Sequence, residues 1–225
     1  MASTTKDKAG TQTRILNAAL NEFSTKGLDG ANIEHIARDA NVSKQLIYHY
    51  FRNKDELYKM TLESVAGGMR LLSQSRDGGA PTALEAFKLI VNFIIDEYIN
   101  NPSYAKLTLD QGLHDGEHLD QYSGYVQNVN HYINKVLRPI IERGELSGEL
   151  RKGLDAASVY WLILFSSTVC FLNTELMSQT IGVDFSKEEG IKQWRDTATD
   201  FVVHAMRNDF PIPSLPEQKI AESNF

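Results

Sequence analysis

Apolar residues recur at intervals of three and four along most of the chain, which is the spacing of helices that bury one face. The first stripe predicts a helix over residues 11–26 that ends at Gly27, and a later helix begins at Lys54. The other stripes predict helices over residues 82–100, 103–113, 119–144, 155–179 and 187–208. Pro139 is expected to kink the third of these, because proline lacks the N–H that a helix uses. No segment alternates with the period of a strand, so the pattern predicts an all-α protein of about nine helices.

The most informative segment reads NIEHIARDANVSKQLIYHYFRNK and spans residues 32–54. Residues 33–40 form one apolar helical stripe, and Asn32 is placed to cap that helix. Asn41 can adopt the positive φ of a tight turn, and Ser43 can cap a second helix. Two short helices joined by a turn, the second with a polar outer face, are typical of a helix-turn-helix.

The outer face of the second helix carries side chains that can hydrogen-bond. Lysine and glutamine can read base edges in the major groove, so we expect Lys44 and Gln45 to contact bases. Hydroxyl and imidazole groups can hold phosphates and set the register. Lys54 lies in the first turn of the following helix, where the helix dipole disfavours a cation unless an outside anion binds there. The predicted DNA-contacting residues are Asn32, Ser43, Lys44, Gln45, Tyr48, His49, Tyr50 and Lys54.

The same segment resembles the DNA-binding signature of the TetR family of one-component transcriptional regulators. The matching residues are Ile36-Ala37, Val42-Ser43, Tyr48-His49-Tyr50-Phe51, and Lys54 followed by Glu56-Leu57. The resemblance covers about residues 11–62. It departs from the family at Asn41, where the family often has glycine, and at Asn32, where it often has threonine or serine. Both asparagines can serve the same local roles, so the resemblance holds.

The resemblance implies a homodimer that binds a palindromic operator in double-stranded DNA and responds to a small-molecule effector. The effector would occupy a cavity in the C-terminal body and change the distance between the two DNA-binding heads. Subunits of this family pair through a four-helix bundle made by the last two helices of each chain. We therefore expect a repressor that is located in the cytoplasm and needs no cofactor.

Breaks in the helical pattern divide the chain into parts. The break RDGGAP begins at Arg76, and three prolines follow residue 210. The predicted parts are a disordered arm (1–10), a helix-turn-helix domain (11–56, whose fourth helix continues to about 75), a ligand-binding and dimerisation domain (76–210) and an irregular tail (211–225). The formal net charge is −6, yet residues 1–60 hold nine basic and seven acidic residues. The basic surface is therefore confined to the N-terminal part.

The C-terminal body carries two overlapping sets of candidate residues. Apolar walls with a few polar groups suit a small-molecule site, although they suit an ordinary core equally well. The candidate ligand-binding residues are Phe87, Val91, Ile94, Tyr98, Leu109, Gln111, Tyr125, Val129, Trp161 and Phe165. The candidate dimer-interface residues are Trp161, Phe165, Thr168, Leu172, Trp194, Ala198, Phe201 and Val202. The segment NPSYAKLTLDQGLHDGEHL also resembles the corresponding part of the pyrimidine-sensing, RutR-like (YcdC-like) subgroup, which leaves the effector class open.

Other chemistry finds little support in the sequence. His114 and His118 could share a helix face and bind a metal, but Gly116 lies between them and a solvated turn is favoured. The single cysteine, Cys170, excludes a disulfide within the chain, and the absence of a catalytic motif leads us to expect no enzyme. Residues 156–174 carry no charge, and we interpret them as a buried helix rather than a membrane span.

Two alternatives to an effector-released repressor stay open. The same fold could act as an activator, or as a DNA-binding protein that needs no effector, and its DNA affinity would then not depend on a ligand. A helical small-molecule or metal-binding protein would need no polar face on the second helix, which this sequence retains.

Overall fold

The computed structural model describes residues 3–74, 80–113 and 123–209, with side chains described for residues 9–65, 80–110 and 123–209. The described residues form helices and one isolated bridge between Leu150 and Arg207, so the predicted all-α fold is confirmed. The helices are α1 (Ser3–Gly30), α2 (Ile33–Asp39), α3 (Lys44–Tyr50), α4 (Lys54–Gln74), α5 (Ala83–Asn100), α6 (Ser103–Leu113), α7 (Gly124–Tyr132), α8 (Arg138–Ser147), α9 (Ala156–Leu172), α10 (Thr174–Ile181) and α11 (Glu188–Met206). A π-helical segment, Ile133–Leu137, joins α7 to α8.

The head consists of α1, α2, α3 and the first half of α4, packed around one hydrophobic core. The rings of Phe23 on α1 and Tyr58 on α4 meet edge to face with centroids 5.0 Å apart, and both side chains are fully buried. Because α2 and α3 have only seven residues each, they are too short to be stable alone. Their buried side chains, including Ile36 and Ile47, hold them to this core and fix the position of α3.

Helix α1 begins at Ser3, whereas the sequence predicted a disordered arm over residues 1–10. That prediction was wrong for the backbone of residues 3–10, because no proline interrupts the helix and Gly10 is accommodated within it. The predicted helix end at Gly27 is confirmed, because the backbone leaves helical geometry there, and a second short helical stretch within α1 follows to Gly30. Gly27 has φ 67° and ψ 179°, a combination that is accessible to glycine almost alone.

The core of the body lies between α5, α7, α8, α9 and α11, with α5 in contact with α8, α9 and α11. Buried apolar side chains from all five helices fill it, including Phe87, Ile140 and Val202. Arg195 of α11 also reaches α5, where its guanidinium lies 2.6 Å from a carboxylate oxygen of Asp96. The body is therefore a second packed unit, joined to the head through α4 and α6.

The helix predicted over residues 119–144 keeps helical backbone angles through both of its internal junctions, with Ile133 at φ −56° and Arg138 at φ −57°. Within the described residues this stretch consists of α7, the π-helical segment and α8 in direct succession. Pro139 lies in the first turn of α8, and the helix is irregular immediately before it, in the π-helical segment. A proline ring clashes with the carbonyl group one turn earlier, and the wider π-helical turn gives that carbonyl more room.

The helix predicted over residues 155–179 is two helices in the structure. α9 ends at Leu172 and α10 begins at Thr174, and the two helices are bent by 84° at the break. Asn173 between them has a non-helical φ of −130°, although the apolar pattern continues across it. No single helix of the described residues is both long and apolar enough to cross a membrane, while α9 and α10 reach that length and composition only as a bent pair.

We predict that Gly27→Ala destabilises the head by about 1–3 kcal/mol. A methyl group at this position would force a strained backbone and would lie 2.8 Å from a carboxylate oxygen of Asp110. Chemical denaturation measures the free energy of unfolding. Gly10→Ala is the matched control, because its methyl group meets no atom within 4 Å and helix propensity favours alanine by about 0.5–1 kcal/mol. Equal stability of the two variants would show that the backbone at Gly27 carries no strain.

Candidate DNA-binding interface and sensory body

Both helices of the helix-turn-helix are capped as the sequence predicts. The side chain of Asn32 accepts a hydrogen bond from the backbone N–H two residues on (2.8 Å). The hydroxyl oxygen of Ser43 accepts one from the N–H three residues on (3.1 Å). Asn41 has a φ of 53°, so the predicted positive φ in the turn is confirmed. These local bonds set the angle at which α3 leaves α2.

The outer face of α3 is exposed to solvent. The exposed members of the predicted DNA-contacting set are Asn32, Ser43, Lys44, Gln45, Tyr48 and His49. Tyr50 is only partly exposed, because its ring lies against the rings of His49 and Phe51 with centroids 5.7 and 6.3 Å away. Tyr50 therefore packs beside the exposed face of α3 and offers it little accessible surface for DNA.

Lys44 is paired with an acidic residue of α2. Its Nζ lies 3.0 Å from a carboxylate oxygen of Glu34, and this hydrogen bond raises the pKa of Lys44. Both side chains are exposed, and exposed ion pairs are held weakly. A base edge or a phosphate can therefore replace the carboxylate, while the pair keeps the lysine beside the outer face of α3.

The ammonium group of Lys54 hydrogen-bonds to the protein itself. The sequence analysis explained this lysine by an outside anion, and the structure provides an internal partner instead. Its Nζ donates to the backbone carbonyl oxygens of Asp29 (3.1 Å) and Ala31 (3.3 Å). These carbonyls lie at the C-terminal end of α1, where a helix leaves acceptors unpaired and favours a cation. An internal partner therefore explains the lysine, and a phosphate contact would use its remaining donor.

The predicted ligand-binding residues fall into groups with different exposure. Four are buried in the core of the body, namely Phe87, Val91, Ile94 and Val129. Tyr98 and Tyr125 are partly buried and pack against that core. Three are exposed and so do not line the interior of this subunit, namely Leu109, Trp161 and Phe165. The side chain of Gln111 lies outside the described residues.

Further aromatic residues that the sequence analysis did not select lie beside this set. They are Tyr104, Tyr132, Tyr160 and Phe171. The rings of Tyr132 and Tyr160 are 6.1 Å apart, and burial raises the pKa of each hydroxyl. Burial also raises the pKa of Tyr125 to about 12, so these phenols are protonated at neutral pH. Helical spacing alone marks such residues as core, and nothing in the local sequence indicates that they converge.

The predicted dimer-interface residues divide between a surface and a core. Trp161, Phe165 and Phe201 are exposed, and the rings of Trp161 and Phe165 stack with centroids 5.6 Å apart. Thr168, Ala198 and Val202 are buried inside the subunit and cannot reach a partner in this arrangement. Leu172 and Trp194 are partly exposed, and the indole N–H of Trp194 donates to the carbonyl of Ser166 (2.8 Å).

Among the residues that the structure describes, hydrogen bonds from α4 connect the head to the body, and the sequence analysis did not predict them. The hydroxyl of Tyr58 on α4 hydrogen-bonds to a carboxylate oxygen of Asp110 on α6. Further along α4, a carboxylate oxygen of Glu63 accepts from the backbone N–H of Gly124 at the start of α7 (2.8 Å). Leu107 of α6 is itself buried in the core of the head. α6 and α7 therefore both contact the head.

Two family descriptions match this chain. Residues 15–60 match the bacterial regulatory proteins of the tetR family. Residues 84–202, more than half of the chain, match the tetracyclin repressor-like C-terminal domain. The chain belongs to the TetR family.

Relatives of this TetR-family protein include repressors. The HTH-type transcriptional repressor NicS of Pseudomonas putida is 26% identical over 200 residues, which cover 88% of this chain and 92% of NicS. The HTH-type transcriptional repressor SCO4008 of Streptomyces coelicolor is 23% identical over 187 residues, covering 83% and 92% of the two chains. Bacillus subtilis FadR, solved in complex with stearoyl-CoA, has a TM-score of 0.68 at 20% identity, covering 87% of this chain and 99% of FadR. The likeness to FadR shows a shared fold.

The structure adds no support for a metal site in this TetR-family regulator. His114 and His118 lie outside the described residues, so the solvated turn stays a prediction. In the part of the chain that the structure describes, no three His, Cys, Asp or Glu side chains are grouped so that they could hold a metal ion. Cys170 is buried, and burial raises the pKa of its thiol to about 12, which keeps it protonated and packed.

We predict that Lys54→Ala lowers the free energy of unfolding of this TetR-family protein by about 1–2 kcal/mol, because two backbone carbonyls lose a charged donor. Chemical denaturation measures the loss, and Lys88→Ala, which removes an exposed lysine of α5, should change stability little.

The salt dependence of DNA binding tests whether Lys54 also contacts a DNA phosphate. A slope smaller by about 1 would reveal a phosphate contact, whereas an unchanged slope would limit Lys54 to capping α1.

Proposed function

We propose that this transcriptional regulator is a repressor that binds a palindromic operator as a homodimer and leaves it when a small molecule binds the body. The observation that carries the proposal is the exposed polar face of α3, held in place by a buried head core. A helix presented in this way fits the major groove of DNA. The repressor names of the relatives NicS and SCO4008 favour repression over activation.

Each head would read DNA through the exposed side chains of α3. Lys44 and Gln45 would contact base edges, while Ser43, Tyr48 and His49 would hold phosphates and set the register. One head contacts few base pairs, so two heads would bind half-sites about 34–36 Å apart to reach useful affinity. Such binding takes place in the cytoplasm, where bacterial DNA is accessible.

The dimer would form through the exposed aromatic side chains of the last long helices. Trp161, Leu162 and Phe165 of α9 are 43%, 58% and 56% exposed, and Phe201 of α11 is 65% exposed. Solvent-exposed aromatic clusters of this kind mark association surfaces. The surface agrees with the four-helix bundle that the family resemblance implies. The exposure of Trp161 and Phe165, which were candidates for both the ligand set and the dimer set, supports the dimer set.

The effector would bind among the helices of the body and act through the junction with the head. A change in the position of α6 or α7 would reach α4 through the Tyr58–Asp110 and Glu63–Gly124 hydrogen bonds. The resulting change in head spacing would not fit two successive major grooves. Linkage then requires that DNA weaken effector binding by the same factor. The pyrimidine class suggested by the sequence stays a prediction, whereas FadR was solved with stearoyl-CoA.

The first experiment selects binding sites for the purified protein from a pool of random DNA duplexes at fixed salt. We expect an enriched palindrome, because a two-fold dimer presents two identical recognition helices.

Gln45→Ala should then relax the preference at one position of each half-site by about 1–3 kcal/mol. Gln193→Ala, an exposed change on α11, should leave the motif unaltered. Uniform weakening by Gln45→Ala would make it a backbone contact, and no enrichment by a folded protein would contradict the proposed function.

We predict that Phe165→Asp weakens dimerisation by about 2–4 kcal/mol, because a charge would replace an aromatic anchor in the interface. Sedimentation equilibrium measures the change in the dissociation constant. Leu146→Asp is the control, since Leu146 is 89% exposed on α8, away from the proposed surface. Dimers of equal strength in both variants would place the interface elsewhere.

A further inference from the structure

The body contains a buried phenol whose hydroxyl group lacks a partner. Tyr132, the last residue of α7, is 3% exposed, and its hydroxyl has no hydrogen-bond partner among the residues that the structure describes. An unpaired buried hydroxyl lowers the stability of the folded chain, so its presence in a packed core requires a reason. Because burial raises its pKa, the hydroxyl is protonated at neutral pH and can donate a hydrogen bond.

Other tyrosines of the body lie close to Tyr132. The ring of Tyr160 on α9 lies 6.1 Å from the ring of Tyr132. Tyr98, Tyr125 and Tyr132 each act electrostatically on the hydroxyl of Tyr160, which places four phenols in one region of the body. Apart from burial, the groups that shift the pKa of Tyr125 and Tyr160 are other tyrosines. A ligand in this region would meet ring faces, ring edges and neutral hydroxyl groups.

Two further observations single out Tyr132 within the cluster. The hydroxyl of Tyr98 already has a partner, because it lies 3.1 Å from Oγ1 of Thr108. The π-helical segment Ile133–Leu137 begins directly after Tyr132. The ring of Pro139 accounts for part of this irregularity, and π-helical turns are also frequent at functional sites. The irregular segment therefore adjoins Tyr132, whose own backbone angles are helical.

We propose that Tyr132 is the hydrogen-bonding anchor of the effector site, and that the effector is an uncharged, flat aromatic molecule with a carbonyl or ring-nitrogen acceptor. This inference rests on the proposed effector response. The acceptor would receive the Tyr132 O–H, and the flat ring would pack against Tyr98, Tyr125 and Tyr160 in stacked or edge-to-face contacts. A carboxylate would find no cation among these residues, and burying an unpaired charge is strongly unfavourable.

The test measures binding of small probes to the full-length protein in the absence of DNA. Benzamide, acetophenone and coumarin are the neutral aromatic probes, benzoate is the anionic probe, and cyclohexanecarboxamide carries the amide without a flat ring. Saturation-transfer NMR and titration calorimetry report binding directly. We expect at least one neutral aromatic probe to bind, and benzoate and cyclohexanecarboxamide to bind about tenfold more weakly or not at all.

Tyr132→Phe removes only the unpaired hydroxyl. We expect the variant to melt at the same or a higher temperature than the parent protein, and to bind the neutral probe about tenfold more weakly. Thr25→Val, which removes an exposed hydroxyl from α1, is the matched control and should leave probe affinity unchanged. A lower melting temperature for Tyr132→Phe would show that the hydroxyl has a structural partner, and an unchanged probe affinity would show that it is not the anchor. Either result overturns the proposal.

The same probes separate this proposal from the proposed function. A neutral aromatic probe that binds through Tyr132 but does not release operator DNA supports the site and contradicts the effector response. Release of operator DNA by benzoate or stearoyl-CoA, with no binding of the neutral probes, supports the effector response and overturns the proposed ligand class. Binding of no neutral aromatic probe also overturns it.

Discussion

Helix α4 packs in the core of the head and is also hydrogen-bonded to the body. The position of the head relative to the body depends on these contacts. Leu57 and Tyr58 are fully buried in the core of the head, and the Tyr58 hydroxyl hydrogen-bonds to Asp110 of the body. Glu63, less than two turns further along, accepts a hydrogen bond from the start of α7. Because one helix carries both contacts, we expect a shift of α6 or α7 to reach α4. Under the proposed function, such a shift would tilt the head together with the short recognition helix that the head core holds.

The sequence predicts those features of the DNA-binding interface that depend on neighbouring residues. Asn32, Asn41 and Ser43 act on backbone groups within a few positions of themselves, so their roles follow from residue type and spacing. The partners of Lys54 lie 23 and 25 residues away, and those of Tyr58 and Asp110 lie 52 residues apart. Contacts at such separations exist only after the helices have packed, which is why the sequence suggested a phosphate for Lys54 and missed the junction.

The break within the helix predicted over residues 155–179 was missed for a related reason. Apolar residues continue across Asn173 into α10, with Leu176, Met177 and Ile181, although no residue of α10 is buried within the subunit. The spacing of apolar residues therefore did not show that the helix axis bends at Asn173. The exposed aromatic face of α9 could not be separated from its buried face either, since the helix is apolar nearly all round.

Tyr160 and Trp161, which are adjacent on α9, connect the proposed effector site to the proposed dimer surface. Tyr160 faces the phenol cluster around the unpaired hydroxyl of Tyr132, and Trp161, the next residue, belongs to the exposed aromatic surface of α9. Their rings contact each other edge to face with centroids 5.2 Å apart. Anything that binds only the folded state adds to its stability, so a ligand at one feature and a partner subunit at the other would each stabilise the chain. Because adjacent residues of one helix carry both contacts, a ligand that shifts Tyr160 would also shift the surface proposed to set the spacing of the two heads.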